Sequence, residues 1–266
     1  MKTIKNLNYC VDLASKIHNR KLKKPNEDYC ISDMENGIFI VVDGVTRVHA
    51  EYDEHPFESA SLEVAKLFST KAHEFLKANL NSENPEELLR AGVAHANSFI
   101  KSIRAQKTVE EWGFYPSALG IVSILRDNVL YYVCAGDCMG VLLRGSSKIT
   151  FGKQLTLEAV DLHKVSKQKR YSVYCNNFEN DLGYTVFNGD EGVEKHVEFG
   201  FINILPSDVL LLASDGMQYF IKYEKNETLR AVSASEMIEL SNKYDRLPYS
   251  EYADDKTVIK LVFDKK

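Results

Sequence analysis

Apolar residues along the chain fall into two kinds of run. The first kind is short and continuous: GIFIVVDG (37–44), SALGIVSIL (117–125), VLYYVCAG (129–136), GVLLRG (140–145), VLLLASDG (209–216) and KTVIKLVF (256–263). Runs of this length, rich in β-branched residues, predict buried strands. The second kind is periodic. In PFESASLEVAKLFSTKAHEFLKANL (56–80), Phe57, Ala60, Val64, Leu67, Phe68, Phe75 and Leu76 recur at steps that make one apolar stripe on a helix. A second helix starts after Asn84, an N-cap, with Pro85 in its first turn and Leu88, Leu89, Ala96, Phe99 and Ile103 facing inward. The short loop between the two predicts antiparallel packing.

Turns punctuate the strands. Arg126-Asp127-Asn128 reads as a hairpin turn, and Pro206-Ser207-Asp208 separates FGFINI from VLLLA. A short helix is expected from Gly216, and another from Ser233, where Glu236 completes a capping-box spacing. Residues before Gly37 read as polar turn material. The segment 144–199 is the least regular, and its charge runs KVSKQKR and NGDEG read as solvated faces. Hairpins with paired helices predict an α+β fold, with two packed antiparallel sheets and helices outside. No linker or repeat divides residues 1–266, so one domain is expected.

Composition narrows the function. With 33 basic and 38 acidic residues the net charge is −5, which gives no bulk attraction to nucleic acid or anionic membrane. The first residues form no signal-like apolar stretch, and no segment approaches the ~18 apolar residues of a membrane span. A soluble, cytoplasmic protein is expected. Five cysteines without a C-x-x-C pair read as reduced core thiols, and zinc-ligand spacings are missing.

Candidate chemistry lies in the carboxylates. Asn26-Glu27-Asp28, Asp43-Gly44, Gly136-Asp137, Asp215-Gly216 and Asp254-Asp255-Lys256-Thr257 each end an apolar strand or directly precede one. Strand ends fix their Cα atoms, so acids from several strands can be aimed at one point. Ionised together, they need cations. Oxygen-only ligands suit Mg²⁺ or Mn²⁺. Any one Asp-Gly is also a common hairpin turn, and Gly136-Asp137 is the most turn-like. Asp43-Gly44 and Asp215-Gly216 instead lead from strand to helix.

In order and spacing, KKPNED, FIVVDG, CAGDCMGVLL, VLLLASDG and DDKT resemble the landmarks of the type 2C, metal-dependent serine/threonine phosphatases, over roughly residues 18–263. The resemblance implies an α-β-β-α sandwich with an antiparallel helix pair outside each sheet. It implies a phosphomonoesterase acting on phosphoserine or phosphothreonine in proteins, using water activated by two Mg²⁺ or Mn²⁺ ions. Carried over, Asp43 bridges the ions with help from the Gly44 carbonyl, and Asp215 and Asp254 hold the first. Glu27 and Asp28 serve the second, while Asp137 with Asp215 serves a third, weaker ion.

Three departures stand out. Lys23 occupies the place of the family's phosphate-binding arginine, Val45-Thr46-Arg47 replaces the usual continuation after Asp-Gly, and Asp255 replaces an asparagine. Lysine lacks the bidentate fork, so Arg47 is a second candidate for phosphate; its alternative is an ion pair with Glu51 one helical turn on. Two other functions stay open: a non-catalytic relative that binds metal or a partner, and a small-metabolite phosphatase. His18, His49 and His55 read as surface residues, and Trp112 as packing at a strand entrance.

Overall fold

The computed structural model describes residues 7–17, 25–45, 59–106, 115–152, 173–179, 183–246 and 254–264. Two five-stranded antiparallel sheets lie in these residues. One runs β2 (Asp28–Asp33), β3 (Ile38–Gly44), β4 (Ala118–Arg126), β5 (Val129–Ala135), β8 (Glu198–Asn203). The other runs β1 (Tyr9–Lys16), β10 (Lys256–Phe263), β9 (Val209–Ala213), β6 (Met139–Arg144), β7 (Ser147–Phe151).

The continuous apolar runs follow from burial on both faces. Phe39, Val41, Ile121 and Leu130 interleave with Leu210, Leu212, Ile259 and Leu261 between the sheets. The alternate residues Ile38, Ile40 and Val42 face α1 (Ala60–Ala78) and α2 (Pro85–Gln106), meeting Val64, Phe68, Leu89 and Ile100. On the other outer face, Val141, Leu143, Leu211 and Val258 meet Phe220, Leu229 and Met237. Those three belong to the short helices α3 (Gln218–Tyr223), α4 (Asn226–Ala231) and α5 (Ala234–Ser241). Each such apolar side chain contributes about 1.5–3 kcal/mol on full burial, so strands buried on two faces hold the sandwich closed. The α-β-β-α layering is the expected one, but the second outer layer holds three short helices instead of an antiparallel pair, because extended backbone at Glu224 and Val232 ends the first two after six residues each.

Local signals set the helix ends. The Ser59 hydroxyl accepts from Leu62 N at 3.2 Å to cap α1, and Asn84 Oδ1 accepts from Glu86 N at 3.1 Å to cap α2. The α1–α2 pair is antiparallel: Lys71 lies over Phe99, Phe75 against His95, and Leu76 against Gly92. Ser233 and Glu236 form the expected capping box on α5. The Asp127-Asn128 turn has positive φ at both residues (51° and 61°), the form that matches strand twist in two-residue hairpins.

Several readings are corrected. Residues 9–16 and 28–33 are strands rather than turn material. Both lie at sheet edges, where one side remains open and polar residues interrupt the apolar signal. A further edge strand, β7, lies inside the segment expected to be irregular. Phe99 is 38 % exposed beside His95, and Ile100 takes the buried position instead. In NGDEG, Asp190 is pinned by Arg104, Asn176 (3.1 Å) and Asn188 (2.8 Å). Burial raises its pKa, but these bonds prevail and lower it. KVSKQKR, Phe57, Trp112, His18, His49 and His55 lie outside the described residues. Among the described residues, no helix is long and apolar enough to cross a membrane.

Candidate metal centre

Strand direction gathers the acids. Asp28 opens β2 directly opposite Asp43, near the end of β3. Asp215 follows the end of β9, and Asp254 precedes the start of its neighbour β10. Asp137 lies between β5 and β6, which belong to different sheets. Its turn is therefore a crossover between layers and not a hairpin. All five positions fall at one end of the sandwich because their strands alternate in direction.

Carboxylate oxygens of Asp43, Asp137 and Asp215 lie within 4.8 Å of one another. Asp28 and Asp43, facing each other across two strands, are a like-charge pair of the kind that destabilises a sheet. Burial, followed by the charges of Asp28, Asp215, Asp254 and Asp137, holds the Asp43 carboxyl well above the ordinary range. Asp28 is pushed up to about 7, first by burial and then by Asp255, against hydrogen bonds from Ser214 and Thr257. Its Oδ1 is buried and has no hydrogen-bond partner among the described residues. Half-buried acids aimed at one point, beside a buried Asp28 oxygen without a partner among the described residues, fit a hard divalent cation bound through oxygen.

The surrounding backbone is shaped for this centre. A Cβ at Gly44 would lie 2.7 Å from the Ser61 carbonyl oxygen and 2.8 Å from that of Glu27. A Cβ at Gly216 would lie 2.1 Å from the Asp255 carbonyl oxygen. Both glycines after aspartate are therefore set by close backbone approach. Glu27 is buried; its carboxylate takes the Ser59 hydroxyl, its carbonyl accepts from Gly44 N at 3.1 Å, and its N–H donates to Asp255 Oδ2 at 2.8 Å. The Ser214 hydroxyl donates to Asp28 Oδ2 at 2.7 Å and accepts from Thr257 N at 3.0 Å. It thus ties the β2 acid of one sheet to the β9–β10 pair of the other. Asn26 Oδ1 accepts from Asp28 N at 3.0 Å, and its amide reaches Ser15 on β1 at 2.8 Å.

Asp43, Asp137 and Asp215 are thus brought together, and Asp28 and Asp254 act on Asp43 through their charges. Glu27 and Gly44 are joined through the backbone beside Asp43. Lys23 and Arg47 lie outside the described residues. Ser59 and Ser214 were not singled out from the sequence. Ser59 carries a detectable signal, a hydroxyl immediately before a helical stripe, whereas the reach of Ser214 across the sheets carries none.

No protein-family model and no curated protein matches the sequence. Solved structures do match. The catalytic domain of the serine/threonine protein phosphatase PstP, in complex with two manganese ions, superposes with a TM-score of 0.68 at 18 % identity, over 98 % of this chain and 100 % of that one. The chain has the type 2C phosphatase fold. PppA of Pseudomonas aeruginosa matches at TM-score 0.62 and 19 % identity, covering 97 % of this chain and 99 % of its own. The phosphatase MsPP of Mycobacterium smegmatis, in complex with cacodylate, matches at 0.60 and 14 %, covering 97 % and 98 %. The layered, antiparallel-sheet architecture expected from the motifs is therefore that of a fold shared across nearly the whole chain.

Proposed function

We propose that the protein is a metal-dependent phosphomonoesterase that removes phosphate from phosphoserine or phosphothreonine in proteins. The observation that carries this reading is the convergence of Asp43, Asp137 and Asp215, from three separate strand ends, within 4.8 Å. The two manganese ions bound to PstP, and the fact that both PstP and MsPP are serine/threonine phosphatases, support the same reading.

In this reading Asp43, with the Gly44 carbonyl, would help hold two Mg²⁺ or Mn²⁺ ions. Asp215 and Asp254 would hold the first, Glu27 and Asp28 would serve the second, and Asp137 with Asp215 would hold a weaker third. Bound there, the ions supply positive charge that makes water nucleophilic near neutral pH and offsets charge on a phosphoryl group. Water oxygen bonds to phosphorus as the ester P–O bond breaks, leaving inorganic phosphate and the free hydroxyl of the serine or threonine. Ser214 holds Asp28 in place, and Ser59 holds Glu27. No side-chain nucleophile is required. In this reading residues 1–266 act as one domain.

Hydrolysis of phosphopeptides and of an aryl phosphate should require Mn²⁺ or Mg²⁺ and stop in excess EDTA. Undiminished turnover in EDTA would sink the reading. A parallel panel of phosphometabolites separates a protein phosphatase from a metabolite phosphatase by relative kcat/KM. Absence of hydrolysis despite tight Mn²⁺ binding would identify a non-catalytic relative.

Phosphate recognition is assigned to Arg47, with Lys23 as a supporting point charge, since only guanidinium offers two parallel donors to phosphoryl oxygens. Losing that charged contact should lower kcat/KM by about ten- to a hundredfold, the equivalent of ~1.5–3 kcal/mol. Arg47→Ala should show this loss with Mn²⁺ affinity unchanged. A silent Arg47→Ala beside a damaging Lys23→Ala would move the phosphate to Lys23.

A further inference from the structure

Asp255 has no role in the chemistry above, yet it touches each of the segments around it. Only 1 % exposed, it accepts the main-chain N–H of Glu27 at 2.8 Å through Oδ2. Its own N–H donates to Asp254 Oδ1 at 2.9 Å. Its carbonyl oxygen lies 3.4 Å from Ser214 Oγ, the hydroxyl that holds Asp28. The same oxygen packs so closely on Gly216 that a Cβ there would sit 2.1 Å away. One residue therefore joins the segments that carry Glu27 and Asp28, Asp215, and Asp254.

Resting on the metal-binding reading, we propose that Asp255 is a positioning residue of the centre whose negative charge strengthens divalent-cation binding. Two contributions can be separated chemically. The clamp on Glu27 N–H needs only an oxygen acceptor, which an asparagine amide also provides. The charge is what aspartate adds. Placed in a buried cluster of carboxylates, it destabilises the metal-free state and is offset when a cation binds. A neutral residue here would keep the geometry and give up affinity; aspartate trades metal-free stability for affinity.

The test uses the full chain and Asp255→Asn and Asp255→Ala, with two readouts: thermal unfolding in EDTA, and calorimetric titration with Mn²⁺. Asp255→Asn should unfold in EDTA at or above the wild-type temperature, while its Mn²⁺ dissociation constant rises by about tenfold or more, the scale of one nearby charge in a partly buried site. Asp255→Ala should also unfold at lower temperature, because Glu27 N–H loses its partner. Wild-type Mn²⁺ affinity in Asp255→Asn overturns the inference. So does an Asp255→Asn that fails to fold, or that loses as much metal-free stability as Asp255→Ala, since the hydrogen bond would then account for the charge. If the wild type itself binds no Mn²⁺, the metal-binding reading falls first and this inference with it. The wild-type titration alone identifies that case.

Discussion

Asp43→Asn and Asp215→Asn are each expected to lower turnover by about a thousandfold or more, equivalent to ~4 kcal/mol of barrier, while raising the metal-free unfolding temperature. The two effects share one cause. Asp43 is held among four other carboxylates, and burial and their charges already disfavour its ionised form. Asparagine keeps the volume and removes the charge, so the metal-free fold is relieved. The same substitution weakens the oxygen cluster that Asp43 forms with Asp137 and Asp215. Phosphopeptide turnover under saturating Mn²⁺ and thermal unfolding in EDTA check the pair of effects. Retention of more than about a tenth of wild-type turnover, ~1.4 kcal/mol, would refute the assignment of these acids.

Gly216→Ala tests the backbone instead of the charge. Its Cβ would lie 2.1 Å from the Asp255 carbonyl oxygen and 2.9 Å from that of Asp254. Both obstacles are main chain, so no rotamer change relieves them, and the turn after β9 must separate from the approach to β10. Destabilisation of about 3 kcal/mol is expected, the upper range for an overpacked site. Turnover should fall by about a hundredfold, since an ångström of displacement at a catalytic group is enough for that. Gly92→Ala is the control. In α2 the added carbon meets the flexible end of Leu76 at 3.2 Å, and alanine favours helix, so stability should change by less than about 1 kcal/mol. Denaturant unfolding and turnover compare the two variants. A Gly216→Ala enzyme as stable and active as Gly92→Ala would show that the close approach is not needed.

Both predictions depend on how chain pattern and three-dimensional packing divide the information. The strands β3, β4, β5, β6, β9 and β10 were legible in sequence because both of their faces are buried, which leaves continuous apolar runs. The long helices were legible because a one-sided stripe and the Asn84 cap are local features. Edge strands β1, β2 and β7 were not, since an open side lets polar residues in and dilutes the pattern. Phe99 followed the stripe in sequence yet lies at the flank of the helix pair, where only packing against β-strands decides which neighbour is covered.

The identities of the acids and their places at strand ends were determined by sequence alone, through short Asp-Gly and Asn-Glu-Asp motifs whose meaning came from their order. That they converge was decided by tertiary structure. Asp43 and Asp215 are far apart along the chain, and the antiparallel sheets of two layers bring their oxygens within 4.8 Å of those of Asp137. Ser214 reaching Asp28, Ser59 reaching Glu27, and Asp255 accepting the Glu27 N–H were likewise settled only by folding. Each of these bonds joins residues from separate elements. A hydroxyl or carboxylate carries no local mark of which distant group it will meet.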